Sequence, residues 1–310
     1  MKQFHKIAKI YKKNIKNGVQ MKQSKKIMIL VLVLIIGSMS LFAKEKPYIL
    51  ISNSQGDLLQ KVTETKTILE NNGFEIVGEY TPFEGRHVVA FTNDNILTDC
   101  AKTDFGAYGA ALRIAFTEFE NKIQVAYTNP IYWANAYRMS LDAEQLNRQL
   151  EKCFGKGEAF GSEDGLELKK LRKYHYMVGM PYFDDPYELA KYNSYEEGIE
   201  VVESGLKAQK GGVSKVYRID IPNKKETVFG VALTQKSGSD KSILDKIDNS
   251  NLKHTPYLCY EIVVSENKAY ALHGRFRIAV SFPDLTMGSF SKIMSAPNDI
   301  KEALEEVAKK

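Results

Sequence analysis

Apolar and polar positions alternate along this chain in short runs, and helical spacing interrupts them twice in the same order. Residues 47–52 (PYILIS) read as a strand. From Asp57 the positions Val62, Thr65, Ile68 and Leu69 fall on one helical face. Asn71-Asn72-Gly73 ends that helix, with glycine supplying the left-handed cap. Strands follow at 74–80 and 87–92, with Pro82 between them, then a short helix near 96–102. A hairpin at 111–127 turns at Glu120-Asn121, because Asn accepts positive φ in a two-residue turn. A helix from Asp142 to about Phe154 closes the unit, and Gly155 and Gly157 stop it.

The second pass predicts a strand at 174–183 and a helix at 194–209, with Ser194 and Glu197 spaced as a capping box. Lys210-Gly211-Gly212 stops that helix. Strands at 213–221 and 227–234 flank Pro222, which is placed like Pro82. A short helix at 242–247 follows, then the hairpin and its extension over 257–282, then a closing helix at 300–308. The hairpin residues ALRIAFTEFENKIQVAY at 111–127 recur as YLCYEIVVSENKAYALH at 257–273. Each unit is therefore β-α-β-β-α-β-β-α, an antiparallel sheet with helices on one face: an α+β architecture. No GxGxxG or GxxxxGK[ST] follows any strand, which agrees with that reading. A repeat constrains architecture strongly and chemistry hardly at all.

Lys22, Lys25 and Lys26 precede an apolar run from Ile27 to Ile36, and small residues lead to Ala43. This is the pattern of a secretory signal peptide with cleavage after Ala43. The run is short for a membrane span, so an uncleaved anchor is the lesser alternative. Met21 begins a cleaner leader than Met1, so residues 1–20 are read as lying upstream of the true start. No cysteine follows the run, which argues against lipoprotein processing. The expected organisation is a leader at 1–43, a first unit at 44–155, a linker rich in Gly, Ser and charge at 156–172, and a second unit at 173–310. The expected destination is the bacterial periplasm or the medium.

The leader also sets the formal charge. Removing its nine lysines from 43 basic residues leaves 34 against 38 acidic ones, so +5 becomes −4. A nucleic-acid partner loses its main support, and no membrane association is expected once the leader is cleaved. The three cysteines form no CxxC. Cys100 and Cys153 are candidates for a disulfide, though three small buried side chains is the preferred reading.

The order of elements, the Asn72-Gly73-Phe74 ending of the first helix and the hairpin after Pro256 resemble the domain of unknown function 302 (DUF302) family, here in two tandem copies. The resemblance implies an α+β fold of the TATA-binding-protein type. It also implies pairing of units, either as an intramolecular pseudo-dimer or as a homodimer. The family has no established activity, so the resemblance brings no mechanism and no cofactor. Members often carry Pro-Cys ahead of the hairpin. Here Tyr257 follows Pro256, the cysteine is Cys259, and the first unit has Gly109-Ala110 in that place. A thiol role is correspondingly weakened.

Three clusters are candidates for chemistry. His273, Arg275 and Arg277 alternate on a predicted strand, and pairing about Glu266-Asn267 sets Tyr260 opposite His273. Two guanidinium groups, an imidazole and a phenol in one row suit a carboxylate or phosphate. A solvated outer face is the plainer reading. Tyr174-His175-Tyr176 with Asp184 and Asp185 suggests a pocket or a divalent metal, but no ligand spacing such as HExxH supports it, and no metal is expected. Trp133 among Tyr127, Tyr132 and Tyr137 reads as core or interface packing. His87 beside Arg86 has no identifiable partner in sequence. The resulting expectation is an exported binding or accessory module. It takes a small anionic ligand between the units through His273, Arg275, Arg277 and Tyr260, and requires no cofactor. The alternatives are a periplasmic hydrolase or isomerase with His273 or His175 as general base, and a structural or partner-binding protein without a small ligand.

Overall fold

A computed structural model describes residues 44–310, which form one compact unit. The predicted leader lies outside the described residues. The chain opens with strands β1 (Lys44–Glu45) and β2 (Tyr48–Ser54), helix α1 (Leu58–Asn71), and strands β3 (Glu75–Tyr80) and β4 (Arg86–Thr92). Helix α2 (Asp94–Ala101), strands β5 (Leu112–Phe119) and β6 (Lys122–Thr128), and helices α3 (Pro130–Ala136) and α4 (Ala143–Phe154) follow. Next come β7 (Glu158–Phe160), β8 (Leu166–Glu167), α5 (Leu168–Leu171), β9 (Tyr187–Lys191), α6 (Tyr195–Lys207), β10 (Val213–Asp220) and β11 (Glu226–Leu233). The chain closes with α7 (Asp240–Ile247), β12 (Tyr260–Ser265), β13 (Lys268–Ala271), α8 (Gly274–Ser281), α9 (Met287–Ser291) and α10 (Ala296–Ala308).

The main strands form two antiparallel sheets. One runs β3-β4-β5-β6-β2-β7 and the other β10-β11-β12-β13-β9, while β1 and β8 make a small separate pair. Apart from β7, the two orders are the same: second, third, fourth and fifth strand of each half, then the first. The mixed α+β class read from the sequence is therefore the class observed. Local signals account for most of the elements. Asp57 and Ser194 cap α1 and α6 by accepting the N–H groups of Gln60 and Glu197. In the first hairpin Glu120 and Asn121 both take positive φ, as a type I′ turn requires.

Alternation along the central strands sends one set of side chains toward helices and the other toward the opposite half. In β12, Val264 lies beneath Gly198 of α6, while Glu261 faces the first half. In β5, Arg113 and Thr117 reach the 3₁₀ turn Thr255–Tyr257, which precedes β12. The 3₁₀ turn Gly106–Gly109 occupies the matching slot before β5 and lies against the second sheet, where the Ala107 N–H donates to Glu226 Oε1 at 2.8 Å. Both faces of the central strands are consequently covered, and every residue of β11 is buried. The outer strands β3 and β10 also meet. A Cβ on Gly78 would lie 2.3 Å from the Val216 carbonyl oxygen, so only glycine permits that approach.

Four expectations differ from the structure. The predicted strand at 174–183 is a series of turns, because Gly179 takes φ +81° and Pro181 follows it. Its tyrosines dock singly, Tyr174 on the Ala279 carbonyl and Tyr176 on that of Leu285. The first strand of the second half is β9 instead. The hairpin extension ends at Ala271 and continues as helix α8. The segment read as a linker contributes β7, which pairs with β2 at the sheet edge. Helix α3 was not expected, although Asn129 as cap and Pro130 at the first helical position are its ordinary signals.

Candidate functional site

One concentration of charge is closed to solvent. Arg113, Glu261 and Arg277 are 2%, 1% and 0% exposed and sit where the two halves meet. Arg113 Nη1 donates to Glu261 Oε1 at 2.7 Å, and Arg277 Nε approaches Glu261 Oε2 at 3.4 Å. Backbone carbonyls take further donors: Pro256 from Arg113 Nε, and Tyr257 and Cys259 from Arg277 Nη2. Arg277 Nη1 donates to Ser281 Oγ at 2.6 Å. Both guanidiniums lie over the Trp133 ring, at 5.8 and 5.2 Å from its centroid. Burial alone would pull the Arg113 pKa down, but the facing Glu261 carboxylate counters this and the net direction is up.

This arrangement relocates the predicted anion-binding row. The hairpin register is the expected one, since Val263 pairs with Tyr270 and Ser265 with Lys268, but the second strand stops before His273. His273 caps α8, its Nδ1 accepting the Arg275 N–H at 3.2 Å, and its ring stacks on Tyr187 at 4.2 Å. Burial and the neighbouring Arg275 push its pKa down to about 4, so the imidazole is neutral near pH 7. Arg275 is exposed, Arg277 is buried in the charge cluster, and Tyr260 donates to the Leu272 carbonyl. The helical turn thus separates Arg275 from Arg277, and the four do not form a row on one strand face.

The other sequence candidates have structural partners. His175 faces the Met177 carbonyl and stacks on Tyr182, while Asp184 pairs with Arg138 at 2.6 Å. Trp133 is buried and donates to the Pro47 carbonyl, and Tyr132 crosses to the Val280 carbonyl of the other half. His87 lies between Thr81 and Glu79. Cys100, Cys153 and Cys259 are all free thiols.

A concave space of ligand size lies elsewhere. A cleft of about 450 Å³ opens between the β7 segment and the second half's stretches 247–254 and 282–289. His254 forms part of its floor. Asp248 holds this imidazole, with Oδ1 2.8 Å from Nδ1 and Oδ2 accepting the His254 backbone N–H. Nε2 lies 3.3 Å from the Gly161 carbonyl, so neither ring nitrogen lacks a partner. The ring stacks on Phe282 at 4.7 Å and meets Tyr48 edge-on. Asp284 fastens the opposite wall by accepting Ser162 Oγ at 2.9 Å and the Glu163 N–H at 2.6 Å. Among the lining side chains Lys46 stands against Glu158, Glu163 and Asp284, so the cleft is acidic. No pattern in the sequence marks it. His254 and Asp248 lie six residues apart in a loop that matches no motif, and the β7 segment has the Gly-, Ser- and charge-rich composition of a linker.

No family model matches this sequence, and no curated protein matches it. Among solved structures the chain is similar to one described as uncharacterized conserved protein DUF302 from Bacillus stearothermophilus, at 9% identity. The match covers 34% of this chain and 94% of that one, with a TM-score of 0.31. The neighbour bears the family name that the sequence pattern resembles, and its description assigns no activity.

Proposed function

We propose that this chain is an exported binding or accessory module that holds a small ligand bearing amine or hydroxyl groups in the cleft floored by His254. The observation that carries this reading is the chemistry of the cleft walls. Its volume lies in the usual range for small-molecule sites, with apolar surface from Phe160, Phe282 and Leu285 and a few fixed polar groups. Three carboxylates against one lysine favour a donor-rich or cationic ligand over an anion. Both His254 nitrogens are engaged, by Asp248 and the Gly161 carbonyl, and this favours recognition over proton transfer.

The test is thermal denaturation of the protein against a panel of small amines, polyols, sugars and acids. Amines or polyols are expected to raise Tm, and the paired change Glu158→Gln/Asp284→Asn is expected to abolish the rise. A panel in which no compound raises Tm would overturn the reading. A rise confined to acids, and lost in Arg275→Ala, would return the ligand to the anionic class and to α8.

A further inference from the structure

Charge at the seam between the halves does not balance, and beside Arg113 two buried phenol O–H groups find no acceptor. Arg113 and Arg277 share the single carboxylate of Glu261, each of whose oxygens is already committed to one guanidinium. The next buried carboxylate, Glu226, is neutralised by Lys224 at 3.1 Å. Asp240 is bonded to Tyr80 Oη, and burial pushes its carboxyl up to about 7, which makes it a weak counter-charge. An excess guanidinium charge in a core is costly unless something of opposite sign accompanies it.

Beside Arg113 is a cavity of about 20 Å³ in the first half, walled mainly by apolar side chains and bordered by Tyr108, Tyr137, Trp133 and Thr128, with room for one guest of water or halide size. The hydroxyls of Tyr108 and Tyr137 are buried and their O–H groups find no acceptor among the described residues, the Arg113 guanidinium beside Tyr137 being itself a donor. Burial pushes the Tyr137 phenol up to about 12, so its O–H remains a donor at any ordinary pH. Two O–H groups without acceptors and a guanidinium thus border one small space whose other walls are mostly apolar. A buried donor left without an acceptor is costly, because folding strips it of the water it bonded when unfolded.

We propose that this cavity binds one monatomic anion of halide class, which accepts from Tyr108 Oη and Tyr137 Oη and offsets the surplus charge of the Arg113–Glu261–Arg277 group. The anion is structural. It sits within the first half, separate from the acidic cleft, and ties the Gly106–Gly109 turn and the end of α3 to Arg113, through which it bears on the charge group at the seam.

Two measurements on the intact protein test this. Tm is compared in chloride, bromide and gluconate at constant ionic strength, and bromide-grown crystals are examined for anomalous scattering. The expected result is a Tm at least about 2 °C higher in either halide than in gluconate. A bromide peak within hydrogen-bond reach of both phenol oxygens should accompany it. Tyr108→Phe with Tyr137→Phe keeps the ring volume and should erase the halide dependence. Equal Tm in all three salts, with a non-anomalous peak in the cavity, would mean a buried water and would overturn the proposal. If the double variant does not fold, the wild-type anomalous map still decides.

Discussion

The seam and the cleft both join the two halves, yet they treat ionisable groups in opposite ways. At the seam Arg113, Glu261 and Arg277 are packed under Trp133 and Tyr257, and their donors are directed at protein oxygens. In the cleft His254 and Asp284 also have partners, but they border open volume in which a guest can add contacts. Convergence of charge therefore marks a site only when space converges with it. At the seam the same residue types hold the architecture together.

The largest way to break this contrast is Glu261→Gln, which leaves two buried guanidiniums without a carboxylate. Chemical denaturation should show a loss of about 3–5 kcal/mol. Replacing Arg113, Glu261 and Arg277 together by Met, Leu and Met should cost much less, since no buried charge is then unpaired. A triple variant as unstable as the single one would mean that the group provides more than charge balance.

Asp240 supplies a pH dependence that belongs to the seam side. Its carboxyl is raised from 3.8 to about 7 by burial, partly opposed by the bond from Tyr80. Between those values the folded protein keeps a proton that the unfolded chain releases, so stability falls as pH rises through that window. The fall should be on the order of 2–4 kcal/mol at 1.36 kcal/mol per unit, and Asp240→Asn should flatten it in denaturation curves taken from pH 4 to 8.

Gly78→Ala forces a methyl group against the Val216 carbonyl where β3 meets β10, and a loss of about 1–3 kcal/mol is expected in the same assay. Smallest of all is Asp284→Asn in the cleft. Thermal denaturation should move by no more than about 1 kcal/mol equivalent, while any ligand-induced shift shrinks. If this change destabilises the protein as much as Glu261→Gln does, the distinction between cleft and seam fails.

The cores of both halves were legible because they rest on local rules. Val62, Thr65 and Leu69 face inward as their spacing predicts, Ser194 caps as its type predicts, and the 120–121 turn closes at the predicted pair. The region after each hairpin was not. His273-Gly274-Arg275-Phe276-Arg277 satisfies a two-residue period over so short a span that a helix and a strand both fit it. What decides for the helix is His273 capping the Arg275 N–H, together with the burial of Phe276, Arg277, Val280 and Ser281 against neighbours distant in sequence. The candidate site was illegible for a related reason. Asp248, His254, Gly161 and Asp284 come from three separate stretches, and β7, which supplies one wall, is only three residues long.

The sequence by itself determined the two-part α+β plan, because strand period, caps and turns act within a few residues of one another. Tertiary structure decided which charges are buried and which line a space. Arg277 and Arg275 are two residues apart and chemically identical, and only packing against Glu261, Tyr257 and Trp133 takes one out of water and leaves the other in it. Burial is a property of the assembled halves, and it changes the energy of a charge far more than any neighbour in the chain does.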